Sequence, residues 1–341
     1  MEIPGTMKVS VLMPLYNKAP YLGEAVKSIL AQPFQDFELV VVDDASTDGS
    51  AEVLRSIAGP RARIITNARN IGPAGAAQRG MDACTGEYIV RLDADDIAVP
   101  DRLNKQVAFM DAHPDLGASG GHLALFGEQD TVWPFPLTDD ACKAELLFGV
   151  PISQGTMILR RSVIQQHDIR YDDAWPRVGE DWLFWTRLAP HTRFANLDEP
   201  ITRYRRGAMN SSHDRDRLKD HEVILKQVFA MLGIQISDEQ LGLHLMALRM
   251  FREAPTVRSL YALRRWLDQL KEMNATRALF PQEVFDRRVE CTWTGLFHLL
   301  PHYGTSVALA HLKITGTWSM QRLLYLLKYR LNTIFGRGPG A

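Results

Sequence analysis

The sequence contains few cysteines, and none of them lies in a metal-binding or redox pattern. Cys84, Cys142 and Cys291 are the only three in 341 residues, and they are far apart along the chain. Neither a Cys-x-x-Cys pair nor a Cys/His spacing typical of zinc sites occurs. This absence argues against a zinc-stabilised or disulfide-stabilised protein, and we expect three reduced, buried thiols of a cytosolic protein.

The sequence also lacks an excess of charge and a long apolar run. It has 39 Lys and Arg against 40 Asp and Glu, whereas a general nucleic-acid binder carries a strongly basic face. No apolar run reaches the roughly 18 residues that span a bilayer, and the first residues lack a secretory signal. We therefore expect a cytoplasmic protein without a nucleic-acid partner, either soluble or held at the inner face of the cell membrane.

Glycine-rich phosphate-binding loops are missing as well. The first apolar run, residues 9–15, continues into Tyr16-Asn17-Lys18-Ala19-Pro20. This loop is neither a Gly-x-Gly-x-x-Gly fingerprint nor a Walker loop with its lysine. Dinucleotide-dependent oxidoreductases and P-loop enzymes are therefore disfavoured.

What the sequence does contain is an alternation of apolar runs and helical patterns. The apolar runs are continuous, which is typical of strands buried on both faces. They lie at residues 9–15, 37–42, 62–66, 88–92 and 116–125, with helical patterns at 21–30, 50–57, 73–84 and 100–112. This α/β pattern predicts a Rossmann-like, mostly parallel sheet flanked by helices.

Long amphipathic helical patterns replace this alternation after about residue 213. We therefore predict a catalytic α/β domain over residues 1–213 and an α-helical region over residues 214–341.

An acidic cluster, Asp93-Ala94-Asp95-Asp96, follows the apolar run at 88–92. In an open α/β sheet the carboxyl end of a strand faces the ligand crevice. If the backbone is extended here, Asp93 and Asp95 project to the same side. Such oxygen ligands suit Mg²⁺ or Mn²⁺. A solvated acidic turn is the alternative, because an isolated Asp-x-Asp is a short pattern.

Five stretches in order extend this observation. They are residues 9–17, the Asp43-Asp44 stretch at 41–50, Asn70-Ile71-Gly72, residues 86–96 with the acidic cluster, and Gly179-Glu180-Asp181. Residues 8–213 thereby resemble the family 2 glycosyltransferases, which are inverting enzymes with the GT-A fold. The last third of the chain lies outside the resemblance.

The resemblance implies a nucleoside diphosphate sugar as donor and a divalent cation, Mn²⁺ or Mg²⁺. It makes Asp95 the metal ligand, with Asp93 contacting the ribose or the metal shell. It also places His213 where some GT-A enzymes supply a histidine to the metal. A cation shared between carboxylates and the diphosphate neutralises the charge that develops on the leaving group.

Further roles for the nucleotide follow from the same resemblance. Asp44 is expected to accept the uracil N–H, although a carboxylate there also suits a cap of the following helix. Pro14, Tyr16 and Asn17 are expected to frame the base, Pro14 being alternatively a simple strand terminator. Arg79 is expected near the nucleotide, because a guanidinium suits phosphate, or else is a solvated helix residue.

The acceptor side is expected to depend on Glu180-Asp181. By resemblance, Asp181 is the general base that takes the acceptor proton, and Glu180 orients or hydrogen-bonds. The alternative is that both are acids favoured by a helix dipole. The nearby Trp175, Trp182 and Trp185 either stack on a sugar or, more commonly, belong to the core.

Residues 306–341 contain basic residues and no acidic residue, interleaved with apolar ones. A helix of this kind can lie on an anionic membrane surface. Alternatively it packs on the catalytic domain with a solvated basic edge. The sequence leaves both interpretations open.

Together these features predict a metal-dependent inverting glycosyltransferase. The predicted reaction transfers a sugar from a UDP-sugar to a saccharide or lipid-linked saccharide acceptor, as in surface polysaccharide synthesis. One alternative is a catalytically silent sugar-nucleotide-binding or scaffolding protein with the same fold. A phosphatase with an Asp-x-Asp nucleophile is a further alternative, but it leaves Asp44 and Glu180-Asp181 unexplained.

Overall fold

The computed structural model describes residues 7–59, 62–172, 174–207, 216–316 and 318–334. The chain divides into two compact units, Met1–Asp216 and Arg217–Ala341. The predicted boundary was at residue 213. The first unit contains the sheet, and the described residues of the second are helices and their connections.

The first unit is built on one nine-stranded sheet. Its strands are β1 (Val9–Leu15), β2 (Phe37–Asp43), β3 (Ala62–Thr66), β4 (Tyr88–Arg91), β5 (Ile97–Ala98), β6 (Leu116–Gly127), β7 (Val132–Trp133), β8 (Ile158–Arg160) and β9 (Arg193–Arg206). The order is β3-β2-β1-β4-β8-β6-β9-β5, with β7 paired to β6. Strands β1 to β4 are parallel, whereas β8 is antiparallel to both β4 and β6. The predicted sheet is confirmed, and its second half is mixed.

Seven helices flank the described part of this sheet. They are α1 (Ala19–Leu30), α2 (Ser50–Ile57), α3 (Gly72–Ala83), α4 (Arg102–Ala112), α5 (Asp139–Glu145), α6 (Arg161–Gln166) and α7 (Glu180–Leu188). Helix α1 buries Leu22, Ala25, Val26 and Ile29, which recur at helical spacing, in the main core. Strands β1, β2 and β4 are buried on both faces as their continuous pattern predicted, whereas the edge strand β3 is half-buried to exposed, so the prediction is wrong for residues 62–66.

Close packing of α3 on the sheet positions one side of the site. A Cβ atom at Gly80 would lie 2.1 Å from Leu12 Cδ1 and 3.0 Å from Val42 Cγ2. Only glycine therefore fits here without displacing core side chains. Helix α3 is consequently packed directly on β1 and β2 near its carboxyl end.

Strand β9 is long and irregular. It is one strand paired with β6, and the register shifts near Gly121 and His122. Pro200 lies opposite this irregularity. Proline has no N–H to give to a strand ladder, and bulges accommodate such positions. The short strands β5 and β7 were not predicted, because a strand of two residues is too short to show a hydrophobic pattern.

The second unit contains the helices α8 (Arg217–Met231), α9 (Asp238–Ala247), α10 (Val257–Arg277), α11 (Gln282–Gly295), α12 (Thr305–Thr315) and α13 (Met320–Ile334). Capping boxes start α9 at Ser237 and α10 at Thr256. Large aromatic side chains fill its interior, including Phe229, Trp266 and Trp293. Across the residues that the structure describes, no helix has the length and apolarity needed to cross a membrane.

The cysteines are all free, and two of them are buried. Cys84 and Cys142 are buried as predicted, whereas Cys291 is exposed. The expectation of a buried thiol at Cys291 is therefore wrong. Helix α11 buries the face that carries Phe285, Val289 and Trp293, and Cys291 lies off this face.

Candidate active site

The acidic cluster forms a tight turn directly after β4. The Asp96 N–H donates to the Asp93 carbonyl oxygen at 3.1 Å, which closes the turn. The extended backbone predicted for these residues is therefore wrong, and strand alternation does not set the direction of Asp93 and Asp95. Their side chains keep 31% and 13% of their surface exposed, so both carboxylates remain accessible.

Each of these two carboxylates has a basic partner. Arg91 Nε donates to Asp93 Oδ1 at 2.8 Å, and Lys18 Nζ donates to Asp95 Oδ2 at 2.6 Å. Charge-assisted hydrogen bonds of this length are strong when they are partly shielded from water. The cluster is therefore electrostatically balanced by its own protein.

The third carboxylate, Asp96, is buried below the turn. Its Oδ1 atom accepts the Arg205 N–H at 3.0 Å, and its Oδ2 atom has no hydrogen-bond partner among the described residues. Burial, followed by repulsion from Asp95 and Asp93, raises the pKa of Asp96 well above its ordinary value. The buried site therefore favours the neutral form of Asp96.

A fully buried arginine supports the same turn. Arg102 Nη2 donates to the Arg91 carbonyl oxygen at 2.7 Å, and Nη1 donates to Thr202 Oγ1 at 3.0 Å. Burial lowers its pKa to about 9, and the charges of Asp96 and Asp93 oppose that effect. This residue is not predictable from the sequence, because arginines are rarely buried and no local pattern marks a buried one.

The acidic cluster fits Mg²⁺ or Mn²⁺ only together with a diphosphate. Among the described residues, no three His, Cys, Asp or Glu side chains are arranged to hold a metal ion by themselves. Mg²⁺ usually takes one or two carboxylates and completes its shell with phosphate oxygens and water. Asp95 already attracts a cation in this structure, the Lys18 ammonium. His213, the third predicted ligand, lies outside the described residues.

Glu180 and Asp181 begin helix α7. Gly179 precedes them with a φ of 78°, in the left-handed region that favours glycine. Burial and the neighbouring Asp181 raise the pKa of Glu180 to about 8. Burial also raises the pKa of Asp181, but its Oδ1 atom accepts the Trp182 N–H at 2.9 Å, which favours the ionised form. The hydrogen bond from the Trp182 N–H therefore favours Asp181 over Glu180 as the ionised member of the pair.

The raised pKa of Glu180 has a consequence for stability. The unfolded chain loses the Glu180 proton near pH 4.5, whereas the folded protein holds it to about pH 8. Stability should therefore fall as pH rises through this window. In Glu180→Gln, the melting temperature should fall less between these pH values than in the wild type. Parallel melting profiles for the two proteins, measured by circular dichroism, would contradict the assignment.

Arg91 connects the two acidic motifs. It is buried, and its charge lowers the pKa of both Glu180 and Asp181. The same side chain bonds Asp93, whose charge in turn raises the pKa of Asp181. The fold therefore brings the acidic cluster and the Glu180-Asp181 pair to one site around a shared cation.

Three further residues, Gln154, Gly155 and Tyr171, lie beside these groups. Gln154 Nε2 donates to the Tyr171 hydroxyl at 3.1 Å. Tyr171 also lies close to Arg91, and after Asp93 it is the group that most raises the pKa of Arg91. A Cβ atom on Gly155 would lie 3.3 Å from Asp96 Oδ2 and 3.7 Å from Asp93 Oδ2. Tyr171 was not found from the sequence, because it lies in an irregular segment.

Asp44 lies at the end of β2 and binds the start of α3. Its Oδ1 atom accepts from Asn67 Nδ2 at 2.7 Å and from the Ile71 N–H at 2.9 Å, and Oδ2 accepts from the Gly72 N–H at 2.9 Å. The alternative prediction, that Asp44 caps α2, is therefore wrong, because Asp44 binds the start of α3 instead. One acceptor position remains on Oδ2, since a carboxylate accepts about four hydrogen bonds.

Arg79 extends this network from α3. It is an exposed residue whose Nη1 donates to Asn67 Oδ1, the amide that also bonds Asp44. The structure thus connects Arg79 with Asp44 through Asn67.

Pro14, Tyr16 and Asn17 lie at the end of β1. Tyr16 is exposed, while Asn17 adopts a positive φ of 51°. The Asn17 N–H donates to Ser46 Oγ at 3.0 Å, and Asn17 Oδ1 accepts the Thr47 N–H at 2.8 Å. These bonds join the loops after β1 and β2. Pro14 itself lies within β1 rather than after it.

The three tryptophans near Asp181 belong to the core. Trp182 and Trp185 are buried, and Trp182 Nε1 donates to the Leu146 carbonyl oxygen at 2.6 Å. Trp175 is also buried, with the Arg187 guanidinium 4.3 Å from its ring centre. Their buried rings support the core interpretation rather than the sugar-stacking one.

Proteins named as glycosyltransferases are among the relatives of this chain. The chain is 32% identical to an uncharacterized glycosyltransferase of Haemophilus influenzae over 58% of its own length and 65% of that protein's. It is 30% identical to the putative glycosyltransferase EpsE of Bacillus subtilis, over 68% of this chain and 85% of EpsE. The succinoglycan biosynthesis protein ExoO of Rhizobium meliloti is 33% identical over 51% of this chain and 53% of ExoO. Thus the chain matches less than two thirds of two of these relatives.

Solved structures share the fold at low sequence identity. Staphylococcus aureus TarS 1-349 in complex with UDP-GlcNAc aligns with a TM-score of 0.60 and 18% identity, over 92% of this chain and 93% of TarS 1-349. The mannosyltransferase PcManGT of Pyrobaculum calidifontis, in complex with GDP-Man and Mn²⁺, aligns with a TM-score of 0.52 and 18% identity, over 97% and 88%. The family model for glycosyl transferase family 2 matches residues 10–168. The chain belongs to the family 2 glycosyltransferases, and it has the GT-A fold predicted from its sequence.

Proposed function

We propose that the protein is a metal-dependent inverting glycosyltransferase that uses a UDP-sugar as donor. The proposed acceptor is a saccharide or lipid-linked saccharide, as in surface polysaccharide synthesis. The observation that carries this proposal is the meeting of the acidic cluster and the Glu180-Asp181 pair around Arg91. One motif suits a metal-bound diphosphate, and the other suits a general base.

The donor diphosphate is held at the acidic cluster. Asp95, with Asp93 beside it, would hold Mn²⁺ or Mg²⁺ together with the diphosphate oxygens. The cation neutralises negative charge on the leaving group when it is bound. Lys18 reaches the same carboxylate, so its ammonium is available to a phosphate oxygen once it leaves Asp95. The chain thus supplies both the ligands and a mobile cation.

Asp181 takes the proton from the acceptor hydroxyl. It is the ionised member of its pair, and its raised pKa makes it a stronger base than an ordinary aspartate. Glu180, which is protonated at neutral pH, orients the acceptor as a hydrogen-bond donor. Attack from the side opposite the diphosphate inverts the anomeric configuration in one displacement.

The nucleotide base is recognised beside Asp44. Its Oδ2 atom has room for one more donor, which suits the uracil N–H. Tyr16 is exposed at the neighbouring strand end, with Pro14 and Asn17 framing the same loop. Arg79 contributes through Asn67 by holding the Asp44 carboxylate in place.

The ligands of two structural neighbours and the name of one relative support this proposal. The TarS structure contains UDP-GlcNAc, and the PcManGT structure contains GDP-Man with Mn²⁺. ExoO is named for succinoglycan biosynthesis. Our choice of uridine rests on the acceptor position at Asp44 together with the TarS complex.

A nucleotide-sugar panel tests the proposed function. The purified protein is incubated with UDP-sugars and GDP-sugars, with Mn²⁺, Mg²⁺ or EDTA, and its melting temperature is measured. We expect stabilisation by one or more UDP-sugars that depends on the metal, together with slow donor hydrolysis. Stabilisation without hydrolysis or transfer would favour the catalytically silent alternative, and stabilisation by GDP-sugars alone would refute the uridine assignment.

Lys18 competes with the metal for Asp95. Replacing Lys18 with methionine removes the ammonium that bonds Asp95 Oδ2 at 2.6 Å, so Mn²⁺ should bind the nucleotide-free protein more tightly. We expect a gain of about fivefold, which corresponds to about 1 kcal/mol, the upper end of the range for exposed ion pairs. Free Mn²⁺ is measured by electron paramagnetic resonance, with Lys27→Met, an exposed lysine of α1, as control. Equal affinities in the wild type and Lys18→Met would show that the ion pair does not limit metal binding.

A further inference from the structure

Helix α13 presents an apolar stripe to solvent. Met320, Leu324, Leu327 and Leu331 recur at helical spacing and are between 44% and 71% exposed. We call these four residues the apolar stripe. Trp318, just before the helix, is 59% exposed as well. Large apolar side chains grouped on one surface mark an interaction site more often than scattered ones do.

The opposite face of α13 is already packed within its own unit. Leu326 is buried, the Tyr325 hydroxyl donates to the His298 carbonyl oxygen at 3.0 Å, and Tyr329 bonds His302 Nδ1 at 3.1 Å. Arg322 lies over the Phe297 ring, 5.3 Å from its centre. Because these contacts involve the opposite face of α13, the apolar stripe faces outward.

Basic residues flank the apolar stripe on both sides. At 100° per residue, Lys328 lies about 70° to one side of the stripe and Arg330 about 90° to the other. Both are exposed. No acidic residue occurs from residue 306 onward, so the surface is apolar in the middle and positive at its edges. This arrangement is complementary to a surface that is apolar inside and anionic outside.

A second copy of the chain fits this surface poorly. The stripe is about 16 Å long, two heptads or fewer, whereas stable coiled coils need at least three or four. In a paired helix the flanking lysine and arginine would find no acidic side chain to bond. Both length and charge therefore argue against self-association.

We propose that the outward face of α13 binds an anionic lipid bilayer. The apolar stripe enters the boundary between headgroups and acyl chains, with Trp318 at the headgroup level. Lys328 and Arg330 extend to lipid phosphates on either side. This inference does not rest on the proposed function, because it concerns a surface of the second unit alone.

Vesicle flotation of the full chain tests the proposal. The protein is mixed with vesicles of phosphatidylcholine alone or with about 30% phosphatidylglycerol, an anionic surface of the kind that attracts basic segments. We expect binding to the anionic vesicles only. The stripe variant Leu324→Gln with Leu327→Gln should abolish binding, and Lys328→Gln with Arg330→Gln should weaken it at least tenfold. All four side chains are exposed, so folding should be unaffected.

The control is Val223→Gln, which replaces an exposed apolar residue on α8. It should float like the wild type, and circular dichroism should show equal helix content in all variants. Equal binding to neutral and anionic vesicles, or binding that survives the stripe variant, would overturn the proposal. So would a dimer in light scattering that the stripe variant converts to a monomer, because it would identify a second copy as the occupant.

Discussion

Asp181→Asn is expected to lower kcat by about 10²-fold to 10⁴-fold, the range for loss of a general base. The amide cannot accept the acceptor proton, yet it keeps the size of the carboxylate and the oxygen that receives the Trp182 N–H. Binding of UDP with Mn²⁺ should change little, because the acidic cluster is untouched. The measurement is initial-rate transfer with the donor found by the nucleotide-sugar panel, alongside calorimetry of UDP.

The matched control for this experiment is Asp172→Asn. Asp172 lies in the segment before α7 and pairs with Arg187 at 3.6 Å on the surface. Its loss should leave kcat within about twofold, because exposed ion pairs contribute little. Transfer at near wild-type rate by Asp181→Asn would exclude this residue as the base. Loss of UDP binding in the same variant would indicate a structural role instead.

Asp95→Asn should remove the metal dependence of nucleotide binding. An amide oxygen is a weaker, neutral ligand for Mg²⁺ or Mn²⁺ than a carboxylate is. The variant also deprives Lys18 of its partner at 2.6 Å. We expect UDP affinity in Mn²⁺ to fall to the value seen with EDTA, by at least the roughly 10-fold to 100-fold that loss of an outer-shell partner of a metal ligand costs.

Calorimetry of UDP with Mn²⁺ and with EDTA checks this result. Asp115→Asn serves as control, because Asp115 forms an exposed ion pair with Arg193 and has no part in the site. Metal-dependent UDP affinity that is unchanged in Asp95→Asn would refute the metal assignment. If Asp93→Asn alone removed the metal effect, the ligand would be Asp93 instead.

The sheet and the strand-end carboxylates were predictable from the sequence because both follow local rules. Strands β1, β2 and β4 are continuous apolar runs, and continuous runs mark strands covered on both faces. Asp44 and Asp93 come directly after two of these runs. The carboxyl ends of parallel strands share one edge, so their proximity follows from the topology.

Other parts of the site depend on contacts between distant segments. Arg102 is buried because it meets Thr202 and the Arg91 carbonyl, and nothing near residue 102 in the sequence indicates these partners. Tyr171 likewise owes its place to Gln154. The direction of the Asp93 and Asp95 side chains depends on a turn, which the two-residue period of a strand cannot describe.

The partners of Asp44 show a similar limit. Its bonds to Ile71 and Gly72 span 27 and 28 residues. A sequence rule assigns a carboxylate to the nearest helix start, which here is α2. The fold instead brings α3 over β2 through the small residue Gly80, and the cap follows that packing.

The ion pair between Lys18 and Asp95 affects when a metal ion can bind to the acidic cluster. Because the protein balances the acidic cluster with its own cations, the folded state does not require a metal there. On the proposed mechanism Asp95 and Asp93 would therefore hold the ion only together with the donor diphosphate, as a co-substrate rather than a resident part of the fold. The rate would then depend on the concentration of the metal as well as on that of the donor.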